Sequence, residues 1–124
     1  MTAFVVFAHG SRIEAANEAV RAVSSGLARV LAQTGDPMVE SAFLELGVPD
    51  LPGAVEKLAA RGADRIVVIP YFLTLGRHVE RDLPRIVEDL SNRHGGIKIE
   101  VTPPLDGHPS LLQILLERAQ GALA

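Results

Sequence analysis

The chain has 124 residues, 48% of them hydrophobic, no cysteine, and a net charge of −3. This is the length of one domain, residues 1–124. The charge speaks against a nucleic-acid surface, and the lack of cysteine excludes disulfides and thiolate metal sites. No apolar run approaches the roughly 20 residues of a membrane span, and no basic segment precedes the first apolar run, so no signal peptide and a cytoplasmic location are expected.

Strands and helices alternate along the chain. A first strand is predicted over Ala3–Ala8, followed by a long helix over Ile13–Gln33. Ala16, Val20, Val23, Leu27, Val30 and Leu31 recur at helical spacing in that helix, and Gly35 ends it. A second strand covers Met38–Leu44, with Met38 a strand or core residue. The second helix opens at Asp50-Leu51-Pro52, an N-cap followed by proline in the first turn, and ends at Arg61-Gly62. A third strand spans Arg65–Phe72. The third helix is predicted to open near Asp82-Leu83-Pro84 and to end at His94-Gly95-Gly96. A fourth strand covers Ile97–Thr102, and a last helix runs from near Pro109 to about Ala122. The segment from Asp50 to Leu58 is echoed from Asp82 to Leu90, which predicts the same helix-start chemistry used twice.

This alternation implies an α/β fold: a four-stranded parallel sheet with right-handed crossovers and helices on both faces. The expected strand order is 2-1-3-4, with the switch point between strands 1 and 3. Ligands of open α/β sheets bind at the carboxyl ends of the strands beside such a point. His9 follows the first strand and His78 lies on the segment after the third, so the topology turns both toward one crevice. Histidine is the side chain best suited to hold a divalent metal or move a proton near neutral pH.

Each histidine has a glycine and an arginine nearby: Gly10, Ser11 and Arg12 in one segment, Gly76 and Arg77 in the other. Gly10 permits a tight turn, and the amides after it are able to hold an anion. Ser11, Arg12, Gly76 and Arg77 form the expected substrate-binding rim, suited to a ligand with several carboxylates. Glu45 follows the second strand and is able to orient an imidazole, accept a proton or ligate a metal. His94, at a helix end, and His108, before Pro109 at a helix start, read as structural residues.

These motifs resemble the short, single-domain form of the CbiX/SirB class II chelatases. The resemblance covers nearly the whole chain. It rests on Ala8-His9-Gly10-Ser11-Arg12, on Ala42-Phe43-Leu44-Glu45-Leu46, on Pro70 to Pro84 with Gly76, His78 and Val79 at their spacing, and on Pro104-Leu105 with His108-Pro109. It implies a chelatase-like half, a homodimer, and insertion of a divalent metal into sirohydrochlorin. It also implies that His9 and His78 bind the incoming metal and help remove the pyrrole protons, and that Glu45 is the acidic residue of the strand-2 motif. Ala8 departs from the family, which more often has glycine there. Metal is expected as substrate (Co²⁺, Fe²⁺ or Ni²⁺), with no permanently bound cofactor. Two other readings are kept. One is a non-catalytic metal- or tetrapyrrole-binding module, or a half-chelatase that needs a partner. The other is a phosphohistidine enzyme, against which Ala8 stands where those enzymes place arginine.

Overall fold

A computed structural model describes residues 1–35 and 38–124, with Thr34 described by its backbone alone. The strands are β1 (Thr2–Ala8), β2 (Met38–Phe43), β3 (Arg65–Pro70) and β4 (Lys98–Val101). The helices are α1 (Glu14–Leu31), α2 (Leu51–Ala60), α3 (Gly76–Arg93) and α4 (Ser110–Leu123), with a 3₁₀ turn at Ala32–Thr34. The sheet is parallel throughout in the order β2-β1-β3-β4, as the alternation predicts.

Side-chain alternation divides the core between the two faces of the sheet. Ala3, Val5 and Phe7 of β1, with Ile66 and Val68 of β3, meet Leu51, Ala54, Val55 and Leu58 of α2 and Leu83 and Leu90 of α3. Met38 lies in this cluster. On the other face Val6, Ala8 and Phe43 pack against Val20 and Leu27 of α1. Asp50 caps α2 as predicted, its Oδ1 accepting from the Gly53 amide at 2.9 Å.

Four expectations need correction. The third helix starts at Gly76, not near Asp82, so His78 stands on its first turn and Pro84 lies inside it. The two echoed segments therefore differ in structure. Asp50 is a true N-cap, whereas Asp82 pairs with the Arg81 guanidinium at 3.3 Å in mid-helix. Proline removes one amide donor, but the longer helix survives because Leu83 and Leu90 anchor it to the core.

Strand 3 ends at Pro70 rather than Phe72, since Pro70 offers no amide and the chain turns away. The buried stripe of α1 runs through Asn17, Val20 and Ser24, while Val23 and Val30 are exposed. Two polar residues thus occupy positions that an apolar pattern passes over. Lastly, no residue of α4 is buried, so α4 adds nothing to either helical layer of the core. Leu112 is 74% exposed and Leu115 66%.

Candidate functional site at the carboxyl edge of the sheet

Parallel strands end on the same edge, and β1 and β2 carry their pairing beyond it. Ala8 stands opposite Phe43 in the register. The Leu44 amide then donates to the Ala8 carbonyl at 2.9 Å, and the Glu45 amide to the His9 carbonyl at 3.1 Å. These bonds place the two side chains together: His9 Nε2 lies 3.1 Å from Glu45 Oε1. Both side chains remain open to solvent, His9 at 59% and Glu45 at 57%. A carboxylate only accepts, so His9 donates from Nε2 and its neutral ring keeps the lone pair on Nδ1. Phe72 stands edge-on to the His9 ring at 6.3 Å and packs on Phe7 at 5.8 Å.

Gly10 allows this approach. Its φ is +95°, and a β-carbon there would lie 1.7 Å from the Glu45 carbonyl oxygen. Only glycine meets both conditions.

On the other side of the crevice, the Tyr71 amide donates to the Phe7 carbonyl at 2.7 Å, directing the chain out of β3. The Leu105 and Asp106 amides hold the Phe72 and Leu73 carbonyls, each at 2.9 Å. Gly76, with φ +63°, then starts α3. His78 Nδ1 is 3.3 Å from Arg81 Nη2. Arginine has only donors, so Nδ1 accepts and the neutral His78 ring carries its proton on Nε2. The two imidazoles are thus prepared differently, one by a carboxylate and one by a guanidinium.

His9 and His78 line one open cleft of about 360 Å³, with Leu44, Phe72, Gly76, Arg77 and Val79 among its walls. Leu44 also borders two smaller apolar hollows, one reaching His78 and Leu83 and the other Leu51 and Pro52. The histidines therefore stand at the rim of a greasy floor. Arg12 and Arg77 are exposed, and neither has an ion-pair partner among the described residues. Ser11 uses its hydroxyl oxygen locally, accepting from the Ile13 amide at 3.0 Å. No group of three or more His, Asp or Glu side chains is gathered for a metal among the described residues. Glu45 reaches His9 but is not a wall of the shared cleft.

The other two histidines make local contacts at helix ends. The Ser110 amide donates to His108 Nδ1 at 3.1 Å at the start of α4, and His94 caps the end of α3. One residue that the sequence reading passed over is central here. Asn17 of α1, only 1% exposed, hydrogen-bonds the backbone of both Ser11 and Leu46. Its signal is a polar residue on the buried stripe, one turn before Val20. Near it, the Arg21 guanidinium holds Glu14 at 2.7 Å, bonds Glu18, and lies 5.2 Å from the centre of the Phe43 ring. The bond to Arg21 holds the Glu14 carboxyl below its ordinary range.

A doubly wound α/β sheet with paired imidazoles at its switch point defines a class of ligand-binding folds, and comparison with known proteins narrows it. The CbiX family model matches residues 3–122, and the chain belongs to the CbiX family. It is 34% identical over 124 residues to a sirohydrochlorin cobaltochelatase of Sulfolobus acidocaldarius, covering all of this chain and 94% of that one. It is 38% identical over 92 residues to the chloroplastic sirohydrochlorin ferrochelatase of Arabidopsis thaliana, covering 74% of this chain but 41% of the plant protein. Among solved structures it is similar to the sirohydrochlorin chelatase SirB of Bacillus subtilis in complex with cobalt, with a TM-score of 0.84 and 26% identity. That match covers 97% of this chain and 50% of SirB, so the chain spans about half of that relative. No helix among the described residues is long and apolar enough to cross a membrane.

Gly10→Ala should lower stability by about 1–3 kcal/mol through forced backbone strain, and it should separate His9 from Glu45. Chemical denaturation of the variant checks the first effect. A variant as stable as wild type would mean that the Gly10 conformation is not required.

Proposed function

We propose that this protein inserts a divalent metal into sirohydrochlorin, acting as a metal chelatase in tetrapyrrole biosynthesis. The observation that carries the reading is the single cleft flanked by His9 and His78, with a carboxylate set against His9. The family supports it, as do the names of the cobalto- and ferrochelatase relatives.

The reaction replaces two pyrrole protons with M²⁺, so the site must accept protons while presenting metal. His9 and His78 would each take up one of the two protons on Nδ1 as the metal passes from it to the macrocycle, and then release it to solvent. The imidazolium formed at His9 is stabilised by Glu45 through Nε2. His78 shares the metal as a second nitrogen ligand, and its use of Nδ1 requires it to exchange the Arg81 contact for the ion. Nitrogen and oxygen donors suit Co²⁺, Fe²⁺ or Ni²⁺. The metal is substrate and no permanent cofactor is required. The apolar floor around Leu44 receives the macrocycle face, while Arg12 and Arg77, with the backbone at Ser11 and Gly76, take its carboxylates. In this reading residues 1–124 act as one chelatase domain in the cytoplasm.

The working unit is proposed as a homodimer. The exposed leucines of α4 form an apolar face that none of the described core residues covers. SirB is about twice as long as the segment it shares with this chain. A second copy of this chain supplies comparable mass and covers α4. A half-chelatase that needs a partner is the neighbouring reading, favoured by the same exposed helix.

Anaerobic absorbance assays with sirohydrochlorin and, separately, Co²⁺, Fe²⁺ and Ni²⁺ should show insertion above the spontaneous rate. His9→Ala and His78→Ala should each lower turnover by about 10²-fold or more. Folded wild-type protein that accelerates insertion of none of these metals would refute a chelatase that acts on its own and leave a binding module or a half-chelatase that needs a partner. Replacing both Arg12 and Arg77 with alanine should raise KM more than it lowers kcat, and an unchanged KM would remove them from substrate binding. Light scattering should give the mass of a dimer, and Leu112→Glu with Leu115→Glu should halve it. A monomeric wild type would refute the homodimer.

A further inference from the structure

Apart from the His9–Glu45 pair itself, Asn17 is the one side chain among the described residues seen to hydrogen-bond the backbone of both the His9 and the Glu45 segments. It lies on α1, outside the cleft, and is 1% exposed. Its Oδ1 accepts from the Ser11 amide at 2.9 Å, while Nδ2 donates to the Ser11 carbonyl and to the Leu46 carbonyl, each at 2.9 Å. A third acceptor, Glu14 Oε2, stands at 3.5 Å. The backbone donor at Ser11 requires an oxygen opposite it, and the two carbonyls require the nitrogen, so the network itself sets the orientation of the amide. Both Nδ2 hydrogens are thereby used. Ser11 is two residues beyond His9, and Leu46 directly follows Glu45. Leu46 has φ +57°, a left-handed conformation that leucine seldom adopts, and the Asn17 bond to its carbonyl holds it there.

We infer that Asn17 is a positioning residue for the His9–Glu45 pair: one buried carboxamide sets the spacing of the base and its carboxylate across two loops. The ion pair cannot set that spacing unaided, because both partners are more than half exposed and such pairs are weak in water. Ser24 provides the contrast. It sits on the same buried stripe of α1, and its Oγ lies 2.6 Å from Ser41 Oγ, a buried polar contact that touches neither loop. A residue that serves only the fold should behave like Ser24.

The kinetic arm of the test rests on the chelatase reading, whereas the exchange arm does not. Metal insertion is measured for wild type, Asn17→Ala, Glu45→Gln and the double variant, with Ser24→Ala as the control. Asn17→Ala should lower kcat about tenfold with KM within about twofold, and in the Glu45→Gln background the same change should cost less than about twofold, because the carboxylate charge it aligns on His9 is already gone. Ser24→Ala should keep kcat within about twofold of wild type. A full, additive loss in both backgrounds, or an equal loss in Ser24→Ala, overturns the inference. If Asn17→Ala does not fold, Asn17→Ser takes its place in the same cycle. Amide hydrogen exchange by NMR supplies the independent readout. The Ser11 and Glu45 amides should lose protection by about tenfold or more in the Asn17 variant, while the Val6 amide in β1 should not. Unchanged protection at Ser11 and Glu45 refutes the clasp. A wild type that inserts no metal, with the exchange result as expected, refutes the chelatase reading and leaves the clasp standing.

Discussion

The candidate site depends on two backbone hydrogen bonds that lie outside the sheet proper. The Leu44 amide to the Ala8 carbonyl, and the Glu45 amide to the His9 carbonyl, continue the β1–β2 ladder past the last strand residues. A parallel pair normally separates at this point, because each strand must turn back along a crossover to reach the next. Here the separation is delayed by two residues. That delay brings an imidazole and a carboxylate to 3.1 Å with little contribution from the ion pair itself. The turn at Gly10, the left-handed Leu46 and the buried amide of Asn17 all serve this extension.

The two sides of the cleft are built by different means. The His9 side is an extended ladder stiffened by side-chain to backbone bonds, with Phe72 at the edge of the ring. The His78 side is the first turn of a long helix, reached through a segment whose Phe72 and Leu73 carbonyls are held by Leu105 and Asp106. That helix is attached to the core along its length, by Val79 beside His78 and then by Leu83, Ile86, Val87 and Leu90.

Much of the fold was legible because parallel strands buried on both faces leave an unmistakable run of apolar β-branched residues. Val5-Val6-Phe7 and Ile66-Val67-Val68-Ile69 are such runs, and they led to the right order of strands and to His9 and His78 on one cleft. The start of α3 was hidden by a real ambiguity: Asp-Leu-Pro caps a helix at Asp50 but lies within one at Asp82. Tertiary anchoring decided between them, and no local rule contains it. The face of α1 was misjudged for the opposite reason. An apolar pattern cannot see that Asn17 and Ser24 are buried with all their polar groups satisfied. The isolation of α4 had no signal, since a helix that packs on its own sheet and one that packs elsewhere share the same leucine spacing.

The separation at Gly10 bears on how such a site can drift over generations. Every amino-acid replacement of glycine adds a β-carbon, and here the nearest obstacle is main chain, which cannot rotate aside as a side chain would. Position 10 therefore has no neighbouring sequence to explore while the ladder stands. Two residues earlier, Ala8 already carries a methyl group within a packed core and is only 4% exposed, so alanine and glycine can interchange there at modest cost. Two letters of one short motif thus have very different freedom. The variable one borders a side-chain packing surface, and the immovable one borders a carbonyl oxygen.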